Sequence, residues 1–287
     1  LWQKENAGIS ESRLRICGLK NTSQVPANRQ TFCIVFIPLP WQAEKSRAGL
    51  AHSDSQPYPS IMNKKISNKG QARIFQNPYL EMLTKSHPLV IWGMYIPILS
   101  YLVYRGIQST GYSAGRTIAV FLAGVIFWSL FEYLAHRYIF HWVSQSKAVL
   151  RLTYVLHGNH HEFPRDRTRL FMPAVPSLLI SSALLGIMYL IAGPAAMLFF
   201  PGFMLGYLTY ASIHYAIHAW KPPFAWLKPL WRNHHLHHYA NEERGFGVSS
   251  MFWDKVFGTT FDLKKYKEDK EKSRELMFSS TREEQPA

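Results

Sequence analysis

From Leu170 to Trp220 the chain runs for 51 residues without an Asp, Glu, Lys or Arg. As one α-helix rising about 1.5 Å per residue, that run would overshoot a roughly 30 Å hydrocarbon core more than twofold. It therefore predicts two membrane spans folded back on each other, and Gly193-Pro194 marks the turn. One helix is expected over roughly Ala174 to Ala192 and its return over roughly Ala195 to Ile213, with Pro201 kinking or delaying the second. Two further apolar stretches precede this pair: Pro88 to Tyr104, closed by Arg105, and Thr117 to Ala135, apolar apart from Glu132. The pattern predicts an all-α, multi-pass membrane protein of about four transmembrane helices.

The polar flanks set the expected orientation. Met62 to His87 carries Lys64, Lys65, Lys69, Arg73 and Lys85 against one acid, Glu81. The positive-inside bias places this flank in the cytosol, and four spans return the basic region after Trp220 to the same side. A net charge of +14 with 17% charged residues is then explained by cytosolic flanks meeting anionic lipid. Nucleic-acid binding is not expected. The anticipated organisation is a cytosolic flank over 62–87, a membrane domain over 88–262 and a charged tail over 263–287. Residues 1–61 show no sustained helical or strand period and hold both cysteines, Cys17 and Cys33. They are expected to be a disordered tail or translated upstream sequence, with Met62 as the biological start. No cysteine follows Cys33, so thiolate ligation in the membrane part is excluded.

Eleven of the 13 histidines fall between His136 and His238, beside span ends predicted to share one side of the membrane. His136 and His141 follow the second span; His157, His160 and His161 lie in the connection to the third. His214 and His218 follow the fourth, and His234, His235, His237 and His238 come last. Residues three or four apart on a helix share a face, so His157 with His160 and His161, His234 with His237 and His238, and His214 with His218 can each aim at one point. His136 and His141 are five apart, which requires a distorted helix end or two different metals. His235 breaks the spacing and reads as an outer or solvent residue, while His52 and His87 read as interfacial anchors or helix ends. Ten imidazoles exceed the four to six positions of one ion, and burying them without metal would strand many donors and acceptors. Two metals are the economical reading. Imidazole suits several transition metals, but a ten-histidine pair of ions at the mouth of a membrane bundle fits iron and oxygen-dependent attack on a C–H bond of a lipid chain.

The run from Glu132 through His136 and His141 to Trp142 resembles the first histidine box of the fatty acid hydroxylase and sterol desaturase superfamily. His157-Gly158-Asn159-His160-His161, followed by Pro164, Asp166, Arg169-Leu170 and Pro173 to Pro176, is similar to the fatty acid 2-hydroxylase branch. So is Gly245 to Ser250 with Trp253-Asp254. The resemblance covers roughly Lys85 to Asp262. It implies a cytosolic, histidine-rich dimetal cap that inserts one oxygen beside the carbonyl of an acyl chain, often in a sphingolipid. His136, His141, His157, His160, His161, His214, His218, His234, His237 and His238 are its metal ligands by position. Two iron ions are expected, with zinc able to occupy the same site. Two electrons per turnover come from a separate donor, cytochrome b5 or a ferredoxin with its reductase. The compartment is a bacterial inner membrane or an endoplasmic reticulum membrane.

Two positions depart from the branch. Ala211 stands where an Asp three residues before His214 is usual, and residues 1–84 carry no His-Pro-Gly-Gly haem motif. Glu132, one turn before His136, is expected to hold that imidazole or to pair with Arg137. Trp128, Trp142, Trp220 and Trp231 are expected in interfacial belts or along an acyl tunnel, and Pro222-Pro223 as a rigid turn swinging the last histidine group back over the bundle. The alternatives are a sterol or carotenoid hydroxylase or desaturase of the same superfamily and, from another class, a divalent-metal transporter. A transporter would place its ligands near mid-membrane.

Overall fold

Pro88 and Gly193-Pro194 punctuate the helices where the sequence predicts, whereas Gly111, not Tyr104, closes the first long helix and Pro201 lies inside its helix without delaying it. The structure is a computed structural model, and residues 66–263 are the ones it describes. Residues 1–61 with Cys17, Cys33 and His52, Met62 itself, and nearly all of the 263–287 tail lie outside them. The short α1 (Pro78–Met82) precedes α2 (Pro88–Thr110), which opens on Pro88 with the His87 ring capping Leu89 N–H and closes on Gly111 at φ +60°. His87 is thus the helix end expected of it, although α2 runs six residues past Tyr104, beyond Arg105. α3 (Ala114–Leu134) passes directly into a π-helical segment, Ala135–Phe140. After α4 (Lys147–Thr153), a second π segment (Tyr154–Gly158) and α5 (Asn159–Glu162) come α6 (Ala174–Ala192) and α7 (Ala196–Ala219). A 3-10 turn over Gly193–Ala195, with Gly193 at φ +57°, joins these last two. α8 (Lys228–Tyr239) and α9 (Phe252–Val256) complete the chain, and no strand occurs among the described residues.

Three segments are long and apolar enough to cross a membrane: Pro88–Thr110, Ala114–Phe140 and the 53-residue Arg167–Ala219, which contains both α6 and α7. The chain is an integral membrane protein. Leu89, Ile126, Leu190 and Ile191 are 67–87% exposed, as expected of side chains that face lipid rather than water.

Lipid tails are as apolar as leucine, so the helices associate through close packing and polar contacts rather than hydrophobic burial. α3 and α7 approach through glycine: a Cβ added to Gly124 would lie 2.1 Å from Phe199 O, and one on Gly202 would lie 1.9 Å from Phe121 O. A Cβ on Gly206 would strike the Trp128 side chain at 2.5 Å. α7 therefore forms the centre, packed into a core of Ile91, Tyr95, Phe171, Phe200, Phe203 and Leu208. Tyr95 Oη shares hydrogen bonds with Ser177 Oγ (2.7 Å) and Ser181 Oγ (3.0 Å), and Trp92 Nε1 donates to Ser212 Oγ (3.0 Å), linking α2 to α6 and α7.

The segment before α2 clasps the loop ahead of α6. Arg169 pairs with Glu81 and, at 3.2 Å, with Asp166, and it donates to Ala72 O at 2.7 Å. Ser86 N–H donates to Thr168 O (2.9 Å) and Arg151 to Ile74 O (2.7 Å). The single acid of this flank is thus a structural pin.

Candidate metal centre

Each histidine is delivered by the end of an element whose geometry suits it. The π segment, with its wider i→i+5 turn, sets His136 and His141 on one side of the chain despite their spacing of five. The second π segment carries His157, and Asn159 Nδ2 braces it by donating to Tyr154 O (2.9 Å) and Val155 O (2.7 Å). α7 continues beyond Ile213 through His214 and His218 to Ala219. The turn containing Pro222-Pro223 brings α8 back, where Trp231 Nε1 donates to Trp220 O at 3.0 Å and Leu230 and Trp231 pack on Ile217 and Val248.

All ten predicted ligands converge, in two groups of five. His136, His141, His157, His161 and His237 form the first group, and His160, His214, His218, His234 and His238 the second; within each, the candidate ligand atoms lie within 4.8 Å of one another. In the first, His157 Nε2 lies 3.0 Å from both His136 Nε2 and His161 Nε2, and His237 Nε2 lies 3.1 Å from His141 Nε2. In the second, His234 Nε2 lies 2.9 Å from His218 Nε2 and 3.1 Å from His238 Nε2. The partition corrects one expectation: each three-histidine cluster serves both groups instead of a single point. His160 and His161 face different centres, as do His237 and His238, and the rings of His161 and His238 stack at 4.1 Å where the groups meet.

Metal ions fit this arrangement. A neutral imidazole carries one N–H, so His157 Nε2 cannot satisfy two neighbouring nitrogens at once. In the second group His160 Nε2 and His214 Nε2 are buried with no hydrogen-bond partner. A cation among the Nε2 lone pairs resolves both conditions. His136 Nδ1 contacts Phe246 O at 2.6 Å and His237 Nδ1 contacts Arg244 O at 2.8 Å. A carbonyl only accepts, so each Nδ1 carries the proton and each Nε2 presents its lone pair. Burial, reinforced by repulsion between neighbouring rings, holds His157, His160, His161, His234 and His238 well below the ordinary imidazole value. These five rings stay neutral near pH 7 and able to bind metal.

The residues around the ligands differ from expectation. Glu132 neither holds His136 nor pairs with Arg137. Its carboxylate accepts Val248 N–H (2.9 Å), Ser249 N–H (2.8 Å) and the Ser249 hydroxyl, while Arg137 donates to Tyr133 Oη at 2.8 Å. Asp254, fully buried, accepts Phe246 N–H and Gly247 N–H at 2.9 Å each, and burial raises its carboxyl. The Gly245 to Ser250 motif flagged it, but sequence reasoning assigned it no role. His235 is buried, with its Nδ1–H on Trp231 O (2.7 Å), and burial takes it down to about 4. Ala211 lies in the apolar core. Of the four tryptophans, Trp142 and Trp220 are exposed and Trp231 is buried. Trp128 joins an aromatic wall with Phe131, Phe203, Tyr207 and Tyr210, which ends where Tyr210 stacks on His214 at 5.7 Å.

A helical integral membrane protein whose span ends gather ten imidazoles into two metal-capable groups belongs among the histidine-box membrane enzymes. The family model for fatty acid hydroxylases matches residues 121–259. A dihydroceramide fatty acyl 2-hydroxylase of Arabidopsis thaliana is 32% identical over 209 residues, 71% of this chain and 86% of the relative. A ceramide very long chain fatty acid hydroxylase of Saccharomyces cerevisiae is 36% identical over 67% of this chain and 50% of its own length. The human fatty acid 2-hydroxylase is 35% identical over 65% of this chain and 56% of its own. The solved structure of full-length scs7p, with only its hydroxylase domain visible, superposes with a TM-score of 0.62 at 28% identity, covering 78% of this chain and 90% of that one. The chain belongs to the fatty acid hydroxylase family and is an oxygenase. It spans about half the length of the yeast and human relatives.

Proposed function

We propose that this protein hydroxylates carbon 2 of an acyl chain, as a free fatty acid or as the N-acyl group of a sphingolipid. The observation that carries the proposal is the pair of five-imidazole groups at the ends of lipid-facing helices. Relatives named for fatty acyl and ceramide 2-hydroxylation support the substrate class. The ten histidines hold two irons, one per group. When bound, iron supplies the reduction of oxygen and the insertion of one of its atoms: R–H + O2 + 2 electrons + 2 protons give R–OH and water. A separate donor, cytochrome b5 or a ferredoxin with its reductase, provides the electrons.

The chain's own residues position the substrate. The aromatic wall from Trp128 to Tyr210 runs along α3 and α7 to His214 and guides an acyl chain from the bilayer while excluding water. In this reading residues 88–262 form the membrane domain, with 62–87 as its flank, and α6 and α7 are separate spans. The resulting four spans put all ten ligand histidines on the cytosolic face, of either a bacterial inner membrane or an endoplasmic reticulum membrane.

The test is acyl-chain mass spectrometry of cells expressing the protein beside a His160→Ala, His161→Ala double variant, which removes one ligand from each group. A one-oxygen gain located at carbon 2 by fragmentation, and lost in the variant, is expected. Oxidised sterol or carotenoid without acyl hydroxylation would overturn the substrate assignment.

A further inference from the structure

The two histidine groups are held differently, and the difference traces to one loop. Arg244 to Ser249 supplies both carbonyls, Phe246 O and Arg244 O, that receive Nδ1–H from His136 and His237. Both rings belong to the first group. In the second group, His160 Nδ1, His234 Nδ1 and His238 Nδ1 are buried with no hydrogen-bond partner. Three of its five rings therefore lack the contact that fixes tautomer and orientation.

Two buried carboxylates shape the loop from opposite sides. Glu132, on the last turn of α3, accepts the N–H groups of Val248 and Ser249. Asp254, on α9, accepts those of Phe246 and Gly247 and the Thr259 hydroxyl at 2.7 Å. Four successive backbone N–H groups, 246 to 249, are thereby fixed. The Gly247 N–H held by Asp254 shares its planar peptide with Phe246 O. The peptide of Arg244 O is held by Gly245 N–H on Thr259 O at 2.9 Å, and Asp254 fixes Thr259 through its hydroxyl. Glu132 anchors the far end of the loop. The packing leaves little slack: a Cβ on Gly247 would lie 2.1 Å from Ser250 O and 2.8 Å from Asp254 Oδ2.

We infer that Glu132 and Asp254 are positioning residues for the first metal alone: through the Phe246 and Arg244 carbonyls they preset His136 and His237, making that group the tighter, first-filled of two unequal metal sites. This rests on the reading that the protein binds two metals. Outer partners of ligating imidazoles are typically worth about 10–100-fold in metal affinity. A difference of that size between the groups is expected.

The experiment titrates purified, metal-free full-length protein in detergent with cobalt(II). Visible absorption reports binding, and metal analysis reports the final count. The wild type should fill in two phases separated by about 10-fold or more. Glu132→Met should weaken the first phase by about 10–100-fold and leave the second unchanged. Glu132→Gln, whose carbonyl oxygen can still accept both N–H groups, should keep the first phase. His214→Ala should remove only the weaker phase. The weaker phase doubles as a fold check for Glu132→Met; if that variant loses both phases, Ser249→Ala, which removes only the hydroxyl contact, replaces it and should weaken the first phase alone. Two metals binding in one phase, an unchanged first phase in both substitutions, or a Gln variant as impaired as Met would each overturn the inference. A wild-type count below two would overturn the two-metal reading itself.

Discussion

His160 and His161 are one backbone step apart and face different centres, so single substitutions at these positions have separable effects. His161→Ala should deplete the first group and His160→Ala the second, each lowering the bound metal count from two to one. Hydroxylation should fall by more than the roughly 10–100-fold typical of losing an outer partner; metal analysis beside product quantification checks this. The partition was not legible in the sequence. Spacings of three and four mark which residues share a helix face, but residues on one face can still diverge between two points across it. Glu132 was flagged for its distance to His136 along the helix, whereas its partners, Val248 and Ser249, lie 116 and 117 residues away in sequence. The burial of the imidazoles also predicts a pH dependence. Their folded values lie below the ordinary value near 6.5. The unfolded chain therefore takes up protons as the pH falls through about 6.5 while the folded rings remain neutral. Stability of the metal-free protein is full above that pH and declines towards the folded values. Its unfolding midpoint should be lower at pH 5 than at pH 7, and an equal midpoint would contradict the burial.

At the scale of the helix, apolar run length made the long helices legible: α6 ends at Ala192 and α7 starts at Ala196, as Gly193-Pro194 predicts. The π segments were not legible as such. The spacing of five between His136 and His141 demanded some distortion, but no local residue signal names a π turn, which here is stabilised by where its side chains go. The helix crossing left a clue that sequence reasoning did not use, since Gly202 and Gly206 sit four apart on α7, the small-xxx-small spacing of close membrane pairs. Gly202→Leu should force α3 away from α7 and cost at least the about 1–3 kcal/mol typical of overpacking. A denaturant titration in mixed micelles measures that loss. Because α3 leads directly into His136 and the last turns of α7 carry His214 and His218, the same variant should also bind less metal.

The clasp before α2 and the histidine centre each contribute to the stability of the whole molecule. Arg169 is nearly fully buried among Glu81, Asp166 and Ala72 O. Arg169→Ala leaves two carboxylates without their cation, and breaking a buried pair this way costs about 3–5 kcal/mol. Thermal unfolding in detergent should show the loss even in metal-free protein. Chelation should lower the midpoint of the wild type, because a ligand bound only to the folded state stabilises it by mass action. It should do so by less in His160→Ala, His161→Ala. The crosswise sharing of helices between the two centres has a mechanical consequence. α5 and α8 each supply ligands to both groups, so no hinge or local opening of either can expose one group while the other stays enclosed. An opening of α5 or α8 uncovers both groups, and a reductant, an oxidant or a chelator that gains entry that way meets both together.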